Sequence, residues 1–373
     1  LNTIEKILLH ALRVHAHHNA DQVLDFGMFT EVNKIANLEH PGLMVVEPHH
    51  NDDAGVIRLP GTDILLALKL ESHCSPSVIE PWGSVVTCVT GTARDIVAMG
   101  GRPLAVLDFI GTLPSDAEVL VGPCGLKGDG KTCDCGNCET MTVGARNKLM
   151  LKGICDACKA LKIGVSAGGF STSIRGVVPA VVAGMVGELV VSEPLMKPAR
   201  QADDRLILIG LTGNDGNDTV YRAGFADAMR PAKPLLEDEK VSMDGALAAF
   251  GTGRVVRCSD LGAAGIGAAV HESARFGGLG AWVDLKAVLL TEEGAGNTPE
   301  ETLTNETQGR YMLHVEAGNV AEVLEAIRAT GAFAVEFGRI TDTGETVFVY
   351  DGDVVAVLPN ELSEEAMDEL RSM

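Results

Sequence analysis

The sequence predicts an α/β (α+β) protein of two domains, and three observations carry the prediction. Apolar strand-like runs alternate with stretches of helical periodicity, as at residues 64–68, 93–99, 104–110 and 205–209. The 373 residues leave room for two separate hydrophobic cores. Glycine occurs 43 times while aromatic residues make up only 4%, which favours a loop-rich enzyme over an aromatic-lined binding module.

Acidic residues outnumber basic ones by 51 to 30, a formal net charge of -21. That balance repels phosphate backbones and anionic membranes, so the expectation is no nucleic acid and no membrane among the partners. No apolar run reaches transmembrane length, and residues 1–12 lack the basic-then-apolar layout of a signal peptide, which predicts a cytoplasmic protein. Cysteine occurs nine times, an odd count with clustered Cys-x-x-Cys pairs. Such usage points to thiol or metal chemistry in a reducing compartment rather than to a disulfide framework.

Residues 1–40 read as one or two helices, because Ile4, Ile7, Leu8 and Leu12 recur at helical spacing. His10, His15, His17 and His18 crowd this segment, but no carboxylate or cysteine stands ready to complete a metal site, and a solvated helix end accounts for them. Asn51-Asp52-Asp53 is a polar turn feeding a strand. Its aspartates either cap that strand or supply oxygens to a cation.

The run at 64–68 delivers Glu71 and His73 to a strand end, where Cys74, Pro76 and Pro81 stop the pairing. A carboxylate, an imidazole titrating near neutrality and the Arg94-Asp95 pair of the next helix are what a Mg-nucleotide reaction needs: oxygen ligands, a proton handler and a phosphate partner. A plain polar turn is the competing reading. Residues 93–99 read as a helix ended by Gly100-Gly101, and 104–110 as a buried strand.

Between residues 122 and 140 the composition shifts to Gly, Lys, Asp and Cys without periodicity, an insertion ahead of a helix beginning near Val143. Cys135-x-x-Cys138 and Cys155-x-x-Cys158 have the spacing of a four-thiolate zinc site, and an iron-sulfur centre suits the same thiols. The competing reading makes Cys155 and Cys158 small buried hydrophobes. Residues 163–173 read as a strand and a glycine turn, whose amides at Gly168 and Gly169 either cradle phosphate or merely turn the chain. An apolar strand at 177–191 closes the first domain. The predicted division is 1–40, 41–195 and 196–373, with 198–204 as the linker. Asp260 ends a strand before a Gly-rich helix start, placed either to meet a Mg-phosphate or to cap the helix.

Lys69-Leu70-Glu71-Ser72-His73-Cys74-Ser75-Pro76-Ser77-Val78-Ile79-Glu80-Pro81-Trp82-Gly83, followed by Arg94-Asp95-Ile96-Val97-Ala98-Met99-Gly100-Gly101-Arg102-Pro103, resembles the signature of the phosphoribosylformylglycinamidine synthase synthetase subunits, within the aminoimidazole ribonucleotide (AIR) synthetase superfamily. Asp52-Asp53-Ala54, Gly168-Gly169, Asp260-Leu261-Gly262-Ala263-Ala264-Gly265 and Asn305-Glu306-Thr307-Gln308-Gly309-Arg310 follow that family's elements in order. The likeness spans roughly residues 20–362 and covers one of the two modules that the family fuses. Three departures stand out: Cys74 replaces the family's Asn, Asn214 replaces an Arg, and the N-terminal Glu-His-Cys-Ser-Tyr-Lys motif is not found.

The resemblance implies an N-terminal domain whose small sheet dimerises into a barrel and a C-terminal domain with a mixed sheet flanked by helices. It implies an ATP- and Mg2+-dependent ligase that phosphorylates an amide oxygen before attack by ammonia. Asp53, Glu71, Asp95 and Asp260 would then hold ATP and Mg2+, with His73 catalytic. Ser72, Ser75, Arg94, Gly168, Gly169, Glu306 and Gln308 would meet the substrate. Cys135, Cys138, Cys155 and Cys158 are assigned to structural Zn2+. The implied partners are a second copy or a second AIR synthetase-like module, together with a glutaminase subunit. Two alternatives stand beside this: a superfamily enzyme acting on another small-molecule amide or acid, and a non-catalytic zinc-stabilised subunit.

Overall fold

The computed structural model describes residues 2–15, 38, 40, 42–46, 52–126, 133, 136–227, 229–361 and 363, with the side chains of residues 10–15 and 222 excepted. The histidine-rich stretch and the segment where the N-terminal motif would stand therefore lie outside the described residues, apart from the backbone of α1 (Thr3–His15). That helix follows its apolar spacing: Ile7 and Leu8 are buried.

Two sheets organise the rest of the chain. The first is built from β1 (Met44–Val46), β2 (Gly55–Arg58), β3 (Leu65–Ser72), β4 (Gly101–Gly111), β7 (Gly164–Ser171) and β8 (Ala180–Leu189), in the order β1-β2-β3-β8-β4-β7. Its pairs are antiparallel except the parallel pair of β4 and β7. Between β3 and β4 come α2 (Pro76–Ile79) and α3 (Pro81–Ala98). Between β4 and β7 stand the hairpin strands β5 (Glu118–Val121) and β6 (Glu139–Thr142), then α4 (Val143–Leu161).

The second sheet takes β9 (Arg205–Ile209), β10 (Val255–Asp260), β11 (Gly280–Asp284), β12 (Tyr311–Val315), β13 (Ala334–Thr341), β14 (Glu345–Tyr350) and β15 (Asp353–Pro359), in the order β10-β12-β9-β13-β11-β14-β15. Its helices are α5 (Asp218–Arg222), α6 (Leu236–Gly251), α7 (Gly265–Phe276), α8 (Pro299–Thr304) and α9 (Val320–Arg328).

The period-two geometry of β9 explains how the two sheets are joined. Ile207 and Ile209 enter a core shared with Val85, Val89 and Ile96 of α3 and with Met243 and Phe250 of α6, whereas Leu206 and Leu208 face a second core holding Leu8 of α1 and Val270 of α7. A strand buried on both faces reads as an unbroken apolar run, as Arg205-Leu-Ile-Leu-Ile does.

α3 begins at Pro81, well before the helix expected at 93–99, because Pro81 suits the first helical turn and the Glu80 carboxylate caps the Gly83 amide. All of α3 except Trp82 is buried. The strand expected at 104–110 runs from 101 to 111 and is not buried throughout: Leu104, Leu107 and Phe109 are exposed, since among the described residues helices cover only one face of this sheet. Among the described residues no helix is long and apolar enough to cross a membrane.

Candidate active site

Alternation along β3 sets up the site. Leu65, Ala67, Lys69 and Glu71 turn to the helix-covered face, and Leu66, Leu68, Leu70 and Ser72 to the other, with Leu70 70% exposed. Lys69, Glu71 and His73 thus follow one another on the inner side. Ser72, expected at the substrate, is on the opposite face because one residue along a strand reverses the side chain.

Beside this row stand the carboxylates of Asp53, Asp95 and Asp260, with oxygens that all lie within 4.8 Å of one another. They come from the turn before β2, from the last turn of α3 and from the end of β10. Asp53 and Asp95 are buried. Among the described residues Asp53 Oδ2 accepts no hydrogen bond. Three clustered carboxylates with a buried unpaired oxygen suit a hard divalent cation, which prefers several oxygen ligands. Asp260 does not cap the next helix: Ala264 holds the cap position and no side chain bonds there.

Two lysines balance this charge. Lys69 Nζ lies 3.1 Å from Asp95 and 3.9 Å from Glu71, and donates to the Asp53 carbonyl at 2.7 Å. Lys197 Nζ lies 2.6 Å from Asp53 and 3.6 Å from Glu272 of α7. Burial alone would lower both pKa values, but the surrounding carboxylates raise them above the ordinary lysine value, so both ammonium groups stay charged. On the acid side, burial drives Asp95 well above the usual carboxylate range despite Lys69. Burial and the neighbouring Asp53 raise Asp260 to about 6. Glu71 has its room because Gly91 faces it: a Cβ there would sit 2.8 Å from Glu71 Oε2.

His73 ends the row. Its Nδ1 lies 3.0 Å from the Ser84 carbonyl, which can only accept, so the proton belongs on Nδ1 and the lone pair on Nε2. Burial lowers its pKa, Arg94 adds to the effect, and Glu71 opposes it. The ring is therefore neutral at pH 7. Ser77 Oγ donates to the His73 carbonyl at 2.6 Å and lies 2.9 Å from Ser84 Oγ, and Thr87 Oγ1 lies 3.2 Å from the ring. Ser75, at the start of α2, makes no side-chain cap bond.

Arg94 is 3% exposed and faces inward, paired with Glu239 of α6, 3.4 Å from Asp260, and donating to Gln308 Oε1 at 2.5 Å. Gln308 in turn donates to the Glu306 carbonyl at 3.0 Å. Both oxygens of Glu306 are occupied: Oε2 by the Asp218 amide at 2.9 Å, and Oε1 by those of Thr219 at 3.1 Å and Ala264 at 3.0 Å. This carboxylate pins the starts of α5 and α7 together. Arg310 of the same motif is wholly buried, its guanidinium donating to Thr307, Thr212 and Asn305.

Gly168 and Gly169 are not in a turn. They lie inside the edge strand β7, opposite Asp108 and Phe109. The register row Glu71, Ala183, Asp108, Gly168 crosses three strand spacings, about 14 Å, so the structure does not bring these glycines to the carboxylates. A Cβ at Gly168 would meet Asp108 Oδ1 at 2.6 Å, which accounts for the small residue.

The four-thiolate assignment needs correction. Cys138 has its sulfur within 4.8 Å of those of Cys124 and Cys133, while Cys135 lies outside the described residues. Cys155 and Cys158 instead line a cavity of about 430 Å³ with Asp108, Ile154 and Lys159. The reason is helical rise: α4 starts at Val143 and climbs about 18 Å before reaching Cys155. Burial, then the nearby Asp108, raises the Cys158 thiol to about 11, so it is protonated at neutral pH.

Sequence reasoning does not mark Lys69, Lys197, Glu239, Glu272, Ser84 or Thr87 as site residues. Lys69 had a signal, two residues before Glu71 on one strand; Lys197, in an irregular stretch, had none.

The family descriptors "AIR synthase related protein, N-terminal domain" and "AIR synthase related protein, C-terminal domain" match residues 51–142 and 201–351. Phosphoribosylformylglycinamidine synthase subunit PurL of Methanocaldococcus jannaschii is 34% identical over 331 residues, 84% of this chain and 41% of the relative. The chain thus spans well under half the length of that curated relative. Two solved structures of T. maritima PurL share the fold: the FGAR complex at TM-score 0.69 and 23% identity, covering 96% of this chain and 53% of that one, and the ATP complex at TM-score 0.64 and 24% identity, covering 89% and 51%. Since both halves are matched in order and the aligned relative accounts for most of its length, this chain belongs to the PurL-like AIR synthase family.

Proposed function

We propose that the chain is an ATP- and Mg2+-dependent, amidine-forming ligase module acting on formylglycinamide ribonucleotide or a close relative of it. The observation that carries this reading is the convergence of Asp53, Asp95 and Asp260 beside the Lys69-Glu71-His73 row. The complexes of T. maritima PurL with ATP and with FGAR supply the substrate class.

Asp53, Asp95 and Asp260, with Glu71 next to them, would hold the cation. When bound, that cation neutralises phosphoryl charge. The chain's own residues do the rest. Lys69, beside Asp95 and Glu71, and Lys197, beside Asp53 and Glu272, offset the negative charge of the carboxylates and hold them in place. The substrate amide oxygen attacks the terminal phosphorus of ATP and ADP leaves. Ammonia then adds to the activated carbon, inorganic phosphate departs with the amide oxygen, and Nε2 of neutral His73 accepts the proton that the nitrogen sheds. Arg94 is a positioning residue, since its guanidinium is spent on Glu239, Asp260 and Gln308.

The uncovered face of the first sheet supports a partner. Leu68, Leu70, Leu107 and Phe109 are 42%, 70%, 44% and 39% exposed, an apolar patch of the kind that a second sheet buries. A second copy or a second module of the same family fits it, and ammonia comes free in solution or from a glutaminase subunit.

The test is ATP turnover with formylglycinamide ribonucleotide and ammonium, alongside a panel of other amides and acids. Glu71→Gln should abolish turnover with the fold intact, whereas His73→Ala should slow amide conversion by about 10²–10⁴-fold and leave nucleotide binding nearly unchanged. Full turnover in Glu71→Gln protein would remove this site, and no ATP consumption with any substrate would favour a non-catalytic subunit.

A further inference from the structure

We propose that Cys124, Cys133 and Cys138 hold a single zinc ion, and that this site ties the loop between β5 and β6 to the turn carrying His73. The inference stands on the loop's own geometry and does not depend on the reaction assigned above.

The three sulfurs lie within 4.8 Å of one another. A tetrahedral zinc ion with Zn–S bonds of about 2.3 Å separates its thiolates by about 3.8 Å, so the trio is close to the arrangement required. An iron-sulfur cluster spreads its cysteines over different irons and needs a wider set. Soft thiolates select zinc over the hard cation suited to the carboxylate centre. Three thiolates leave one position of the tetrahedron for a fourth donor.

The surrounding backbone is shaped to the sulfurs. Cys124 sits in the 3-10 turn Pro123–Leu126 directly after β5, and Cys138 immediately precedes β6. The Cys124 amide donates to Cys138 Sγ at 3.4 Å. Gly122 has φ +131°, and a Cβ there would stand 2.8 Å from Cys138 Sγ and 2.6 Å from the Asn137 carbonyl, so only glycine lets the chain pass beneath the sulfur.

The sequence of the loop offers little to bury. Residues 127–138 read Lys-Gly-Asp-Gly-Lys-Thr-Cys-Asp-Cys-Gly-Asn-Cys, with no aliphatic or aromatic side chain to form a core. Segments of that composition fold when a metal or another covalent staple replaces the missing burial.

Its attachment reaches the candidate active site. The Gly122 amide donates to the Val78 carbonyl at 3.0 Å, and a Cβ at Gly125 would meet Val78 Cγ1 at 2.6 Å. Val78 is 1% exposed and belongs to α2, whose Ser77 holds the His73 carbonyl. The loop is therefore a positioning element, one helical turn removed from the imidazole.

Protein purified without chelator should contain about one zinc per chain by elemental analysis. After stripping, titration with Co2+ should produce intense thiolate-to-cobalt absorption and the visible bands of a tetrahedral site, and zinc should bleach them. Cys138→Ser should weaken Co2+ binding by at least about tenfold and lose the charge-transfer band, while Cys155→Ser combined with Cys158→Ser keeps both. Chelator should lower the melting temperature of the unaltered protein and leave that of Cys138→Ser protein where it is. The proposal is overturned if the unaltered protein gives no thiolate-cobalt band, if iron is the metal retained, if Cys138→Ser keeps full affinity, or if the Cys155 and Cys158 pair proves to be required.

Discussion

The carboxylate centre draws its oxygens from residue 53, residue 95 and residue 260, three segments joined only when the two sheets pack on α3, whereas the thiolates of Cys124, Cys133 and Cys138 come from one short loop. The first set is hard, buried at Asp53 and Asp95 and half-buried at Asp260, and compensated by Lys69, Lys197 and Arg94. The second is soft and half-buried, on a loop whose residues 127–138 carry no aliphatic or aromatic side chain. Damage should therefore show differently in the two places. The carboxylates are held by the rest of the fold and can lose charge without losing position; the proposed zinc site would instead join residues of one short loop.

The largest expected effect falls on the ion pair beneath the carboxylates. Glu239→Ala leaves the Arg94 guanidinium buried without its partner and should cost about 3–5 kcal/mol of global stability by denaturant unfolding. A loss below about 1 kcal/mol would mean that Asp260 and Gln308 satisfy Arg94 alone, and that the centre is more loosely built than its contacts imply.

Next comes Asp95→Asn, which should reduce ATP turnover by about 10²–10³-fold, the scale of losing one well-placed charged contact in a catalytic site. Because burial already drives this carboxyl toward its neutral form, the melting temperature should hold or rise. That is opposite to the fall expected when a thiolate of the loop is removed. A destabilised Asp95→Asn protein would erase the contrast.

The smallest effect is in pH. Asp260 in the folded chain titrates near 6, against about 3.9 when unfolded. Between about pH 4 and 6 the folded state keeps a proton that the unfolded state has released, so the stability contributed by Asp260 falls as pH rises through that window. A divalent cation needs the ionised form and should reverse the loss above pH 6. Magnesium should therefore raise the melting temperature more at pH 7.5 than at pH 5, with the difference reduced in Asp260→Asn, where Asp95 is left as the raised carboxyl of the trio. Equal shifts at both pH values would contradict the assignment.

Local chemistry made much of this legible from the chain alone. The shared side of Glu71 and His73, the strand 205–209, the helix from Val143 and the position of Asp260 at a strand end all follow from neighbouring residues and appear as read. The candidate metal residues Asp53, Asp95 and Asp260 were nameable because each sits in an ordered motif. What local pattern could not decide was which way a motif residue points and what already occupies it. Glu306 looks like a ligand in sequence but is filled by three backbone amides from two helix starts, and Arg94 is consumed by Glu239 across the interface between the sheets. Ser72 differs from Glu71 by a single step, which on a strand is a change of face. Cys155 and Cys158 matched a spacing rule, yet a helix begun at Val143 carries them away from Cys138, whose sulfur meets those of Cys124 and Cys133 instead. Lys197 left no trace in sequence, because its role is set by Asp53 and Glu272, which lie close to it only after folding. Motif order is written in the chain; charge compensation and site occupancy are properties of the packed state, where burial makes every unpaired group costly enough to determine its neighbours.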